Sequence, residues 1–174
     1  MTINLYENDT QPAIYVACLA SYNNGISHGK WINDLSDAEQ VRSDIKNILA
    51  TSPIADAVEW EIHDYDNFGD IDLLEYSDID YICELASLID EHGEIFTEVY
   101  ADVGCLQKAK RMIEENYMGC YDTIEDYAEQ YIQECYNLPN DISFYLDYKR
   151  FARDLEVDLN VINMGGEIHV FTNH

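Results

Sequence analysis

No lysine or arginine occurs between Lys46 and Lys108, yet sixteen carboxylates fall in that interval. They are Asp56, Glu59, Glu61, Asp64, Asp66, Asp70, Asp72, Glu75, Asp78, Asp80, Glu84, Asp90, Glu91, Glu94, Glu98 and Asp102. A segment this one-signed repels itself, which lowers stability and serves no packing purpose. It has to be held on short, capped elements whose other faces supply a core, because a floppy tail would not keep its charges at fixed intervals. Such an arrangement makes sense against a partner surface built to receive a polyanion. Glu114, Glu115, Asp122, Glu125, Asp126 and Glu129 extend the same candidate surface beyond Lys108.

The formal charge is −26, but 47% of the 174 residues are apolar and 12% are aromatic. Acidic disordered chains have few aromatics and little to bury, so this composition predicts a folded protein. A salt-adapted protein spreads acid everywhere. Here the bases gather at Lys108, Lys110 and Arg111 and at Lys149, Arg150 and Arg153, and the acid is segregated. No apolar run is long enough to span a bilayer, and the first residues show neither a basic nor an apolar signal region. Five dispersed cysteines without a C-x-x-C pair argue against a disulfide framework and a zinc site. They fit a reducing cytoplasm, with most of the thiols buried and inert.

The pattern predicts an α+β chain of three small domains in series after a polar leader at residues 1–12. The N-terminal domain, 13–65, is a small sheet plus a helix. Ala13 to Leu19 reads as a strand ending in the turn signal Tyr22-Asn23-Asn24-Gly25, and Gly29 to Ile32 as a second strand. Ser36-Asp37-Ala38-Glu39 has capping-box spacing ahead of Val41, Ile45, Ile48 and Leu49, and Pro53 stops that helix. Val58, Trp60 and Ile62 alternate with Glu59, Glu61 and His63 as a half-buried strand. The central domain, 66–105, is an acidic helical bundle. In it Ser77 caps a helix bearing Ile79, Ile82, Cys83, Ala86 and Ile89, Gly93 ends it, and Glu94 to Val103 forms the next. The C-terminal domain, 106–174, holds helices and a β-hairpin. Its helices run over Leu106 to Tyr117, from Thr123 with Tyr127, Tyr131, Ile132 and Cys135 as the apolar side, and over Phe144 to Leu155. Val157 to Ile162 and Glu167 to Phe171 pair around Gly165-Gly166.

Asp64, Asp66, Gly69, Asp70, Asp72 and Glu75 match positions of an EF-hand loop, but Phe68 offers no oxygen and a strand precedes it where an EF-hand has a helix. No other cofactor or metal is expected. The five histidines, His28, His63, His92, His169 and His174, lack metal-site spacing, and no nucleophile elbow, P-loop or dinucleotide fingerprint occurs, so no enzyme is expected. The crowded tyrosines, Tyr117, Tyr121, Tyr127, Tyr131, Tyr136, Tyr145 and Tyr148, read as amphipathic core and interface packing. Stacking on nucleic-acid bases fails, because the surrounding field repels phosphate.

Four blocks resemble the ArdA antirestriction family. They are Ile14-Tyr15-Val16-Ala17-Cys18-Leu19-Ala20-Ser21-Tyr22-Asn23-Asn24-Gly25 with Gly29-Lys30-Trp31; Trp60-Glu61-Ile62-His63-Asp64-Tyr65-Asp66-Asn67-Phe68; Glu115-Asn116-Tyr117-Met118-Gly119-Cys120-Tyr121-Asp122; and Tyr145 through Leu155. The resemblance implies an elongated, dimeric DNA mimic, carried on mobile genetic elements. It would occupy the DNA-binding groove of type I restriction–modification enzymes, block restriction, and often block methylation too. It brings no catalytic residue. It implies a cytoplasmic protein whose partners are that enzyme and a second copy of itself, with no nucleic acid and no membrane. The alternative is an acidic calcium-binding or adaptor protein without DNA mimicry.

Overall fold

Ile14, Val16 and Cys18 alternate with Tyr15 and Ala17, and in the computed structural model this segment is strand β1 (Ala13–Cys18). The structure describes residues 11–73, 78–136, 138–143 and 145–173. β1 is the centre of an antiparallel sheet, between β2 (Gly29–Ile32) and β3 (Trp60–Asp66). Between them the chain does not simply turn. Leu19–Asn23 forms a short helix, α1, before Gly25 reverses direction.

Helix α2 (Ala38–Ala50) packs Val41, Ile45 and Ile48 on one face of this sheet, against β1 and β2. Its cap is Asp37, whose carboxylate accepts from the amides of Glu39 and Gln40, while the Ser36 hydroxyl donates to Asp34 instead. Asp37 sits one residue nearer the helix than Ser36, so its carboxylate meets the first free N–H groups directly. That hydroxyl, first, and the Ser36 amide together hold the Asp34 carboxyl below its usual range. Val58 is not part of β3. It lies outside the strand and is 76% exposed, because pairing with β1 starts only at Trp60.

Helix α3 (Ile79–His92) buries Ile79, Ile82, Cys83, Leu85, Ala86, Leu88 and Ile89 and packs on α2. Asp78 caps it, accepting from the Asp80 amide. The expected cap, Ser77, lies outside the described residues, as do the leader through residue 10, Glu75, Phe144 and His174. Gly93, at φ 67°, ends the helix in the left-handed region that favours glycine. Helix α4 (Glu94–Val103) follows. The chain forms two compact units, one ending at Thr97 and the other starting at Glu98. The sequence boundary expected near residue 65 falls inside the first unit.

In the second unit, α5 (Leu106–Arg111) passes into a π-helical turn, Met112–Asn116. The single helix expected through Tyr117 therefore stops early, and Tyr117–Tyr121 is strand β4. Helix α6 (Ile124–Cys135) is capped by Thr123, which accepts from the Asp126 amide. A short helix, α7 (Asn140–Ser143), precedes α8 (Tyr148–Glu156), which packs on α6 and starts later than expected because Asp147 caps it. β5 (Leu159–Met164) and β6 (Glu167–Thr172) form the expected hairpin, and β6 lies between β5 and β4. Both turn residues, Gly165 and Gly166, have positive φ, as a type I′ hairpin turn requires. The fold is thus α+β with two small antiparallel sheets.

The thiols are less buried than expected. Cys18 and Cys83 are buried and Cys105 is half-buried, but Cys120 and Cys135 are exposed. Cys135 is the last residue of α6 and is exposed, whereas Tyr127, Ala128 and Ile132 form the buried side of that helix. Burial pushes the Cys83 thiol up to about 11, and desolvation with the Glu167 carboxylate raises Cys120. Only thiolates react quickly with alkylating reagents. Iodoacetamide at pH 8, followed by peptide mapping, should label Cys135 first and Cys120 more slowly. Cys18 and Cys83 should react only after denaturation.

Candidate functional site: a carboxylate surface

The central candidates are positioned by three kinds of local structure. On β3, Glu61, Asp64 and Asp66 have uneven spacing, and a regular strand would split them between two faces. A bulge resolves this. Tyr15 pairs with Asp64 but Val16 pairs with Ile62, so His63 is the extra residue. The shift places Glu61, Asp64 and Asp66 opposite Ala17, Tyr15 and Ala13, on the face turned away from α2. All three are exposed. Alternation alone does not reveal this bulge.

On α3, Asp80, Glu84 and Glu91 are spaced by four and seven residues and share one stripe, opposite the buried face. On α4, Glu94, Glu98 and Asp102 recur every fourth residue and are all exposed. At about 1.5 Å per residue, the α4 carboxylates advance about 6 Å at each step. Of the other candidates, Asp56, Glu59, Asp70, Asp72, Asp78, Asp90, Glu114, Glu115, Asp122, Asp126 and Glu129 are exposed and Glu125 is half-buried, as is Glu84 of the α3 stripe. Glu75 lies outside the described residues. No described carboxylate is buried.

Some of these acids have work inside the molecule. Arg42 reaches Asp80 at 2.5 Å and Glu39 at 2.8 Å, tying α2 to α3. The bond to Asp80 is the main reason the Arg42 guanidinium is held above its usual range. Asp78 and Asp126 sit in helix caps. Asp102 accepts from Asn160 at 3.2 Å. Asp72 accepts from the Tyr65 hydroxyl at 3.3 Å, and desolvation, then the Asp72 charge, raises that phenol. These carboxylates are held in place and stay exposed.

The EF-hand-like match does not fold as an EF-hand. The segment before it is strand β3, and Asp64 and Asp66 each accept from the next residue's amide, Tyr65 and Asn67. No group of three or more candidate metal ligands comes together among the described residues. No described helix is long and apolar enough to cross a membrane.

Comparison with curated protein sequences gives no match. Residues 14–168 match the family model described as Antirestriction protein (ArdA). The match runs from β1 to the start of β6 and takes in every described carboxylate of the surface, so the chain belongs to the ArdA family of antirestriction proteins.

Proposed function

We propose that the protein inhibits type I restriction–modification enzymes as a DNA mimic, its fixed carboxylates taking the place of phosphates in the enzyme's DNA-binding groove. The observation that carries this reading is the exposure of the acids. A segment with sixteen carboxylates and no lysine or arginine folds with a buried apolar core, and none of its described acids is buried. That cost in self-repulsion makes physical sense when a cationic groove offsets it.

Magnitudes set the requirement. A duplex carries one charge per about 1.7 Å of axis. One helical stripe with a carboxylate every 6 Å or so supplies less than a third of that density. Matching the duplex takes the charge of many carboxylates together, so on this reading no residue dominates. The groove's lysines and arginines ordinarily displace counterions from phosphate, and carboxylates that take those places draw on the same free energy. Long-range attraction also speeds the encounter. No base edges are offered, so inhibition is independent of the enzyme's recognition sequence and extends to methylation wherever the same groove is used.

The same reading has the chain act in the cytoplasm, as a dimer, with three domains in series, elongated enough to lie along the groove. A cleavage assay tests it. A purified type I enzyme titrated with the protein should be inhibited, and the inhibitory concentration should rise steeply between about 50 and 200 mM salt. Inhibition unaffected by salt, or tight calcium binding by calorimetry, would favour an adaptor or calcium-binding role instead.

A further inference from the structure

The open face of the first sheet carries a cleft that is more than a charge array. The register sets Trp31, Tyr15 and Asp64 in one row across β2, β1 and β3, and Gly29, Ala17 and Glu61 in the next. Gly29 and Ala17 put almost no side chain into the second row, which is therefore a trough. Tyr15 leans over it, so closely that a Cβ on Gly29 would lie 2.8 Å from the Tyr15 hydroxyl. Beyond it, Tyr22 of α1 is 61% exposed, and its ring stands edge-on to His63 at 4.7 Å. Tyr15, Ala17, Tyr22 and His63 are among the residues lining the resulting cleft of about 290 Å³. Glu61 Oε2 is 3.9 Å from His63 Nε2, beside the cleft. No lysine or arginine lines it.

We propose that this cleft receives an arginine side chain of the partner, its guanidinium lying against the Tyr15 and Tyr22 rings and hydrogen-bonding the Glu61 carboxylate. The inference rests on the reading that the partner's groove is cationic. Charge complementarity selects the occupant. Glu61 and Asp64 on the same face repel phosphate and nucleic acid. A metal ion would find one carboxylate beside two imidazoles, and no three metal-ligating side chains come together among the described residues. A guanidinium is planar, weakly hydrated and rich in donors, so it can stack on an aromatic face and bond a carboxylate edge at once, which a compact ammonium cannot. The cleft turns part of a diffuse electrostatic encounter into a located contact. The bulge at His63 is the device that builds it, because it brings Glu61 to the face of Tyr15 and Ala17.

Tyr22 is exposed, so its replacement leaves the fold intact. In binding assays of the full chain with a purified type I enzyme, Tyr22→Leu should weaken binding about threefold to tenfold. The dependence of log Kd on log salt should keep its slope, because no charge is lost. Tyr22→Phe, which retains the aromatic face, should bind as the unaltered chain does. If Tyr22→Leu binds normally while carboxylate variants bind weakly, the cleft is overturned and mimicry stands. If neither kind of variant binds differently, both are overturned. A second arm needs no enzyme. NMR titration of the protein with N-acetylarginine amide should shift the Tyr22 and His63 ring resonances, and the uncharged citrulline counterpart should not. Equal shifts from both probes, or from neither, overturn the proposal.

Discussion

Replacing Asp70, Asp90, Glu91, Glu94, Glu98 and Glu115 together by their amides should weaken inhibition of a type I enzyme about a hundredfold, although any one replacement costs about twofold. The estimate takes about 0.5 kcal/mol per exposed charge pair, the middle of the range for solvated ion pairs. All six side chains are exposed. They spare the caps at Asp78 and Asp126 and the Arg42–Asp80 link, and the melt below reads any loss of structure directly. The same variant should unfold at a higher temperature at low salt, since it removes self-repulsion and touches no core residue. The two effects have opposite sign, which separates a functional surface from a structural one. An inhibition titration and a thermal melt, run on the variant and the six single replacements, read both. A single replacement that abolished inhibition would rule out a distributed array.

The second large effect is on stability. Phe171 is fully buried in β6, with its ring 5.1 Å from that of Tyr117 on β4. Phe171→Ala removes a large side chain where β6 holds β4 and β5 together and leaves a cavity. The expected cost is about 3–5 kcal/mol. Hydrogen exchange localises it: amides of β4, β5 and β6 should lose protection by two orders of magnitude or more, in line with that energy. Unchanged exchange in these strands would mean that the sheet is not held by this side chain.

How much of this could be read from the sequence depends on what sets each feature. β1, β2, α2, α3, α4 and the terminal hairpin were legible, because apolar period, caps and turn glycines agree at each of them. The exposure of the acids was legible for a related reason: with no cation in the segment, burial would strand a charge. The bulge at His63 was not, since both registers leave Ile62 buried and only pairing with β1 chooses between them. β4 was hidden because Leu106, Ala109 and Ile113 keep a helical period up to the π-helical turn, and the strand after it is defined by its partner β6. The cap of α2 was misread by one residue, since Ser36 and Asp37 both suit the position and only geometry assigns it to Asp37. Of the site, the residue types and their segregation were legible. Which carboxylates share a face, and which are engaged by Arg42 or by a helix end, required the fold.

The central claim is that protein and duplex cannot occupy the enzyme together. The direct measurement is equilibrium binding of a labelled duplex to a purified type I enzyme at increasing concentrations of this protein. The account predicts that the apparent Kd for DNA rises linearly with the free inhibitor concentration and that the effect fades as salt increases. A ternary complex of enzyme, duplex and protein, with the DNA affinity levelling off at saturating inhibitor, would contradict it.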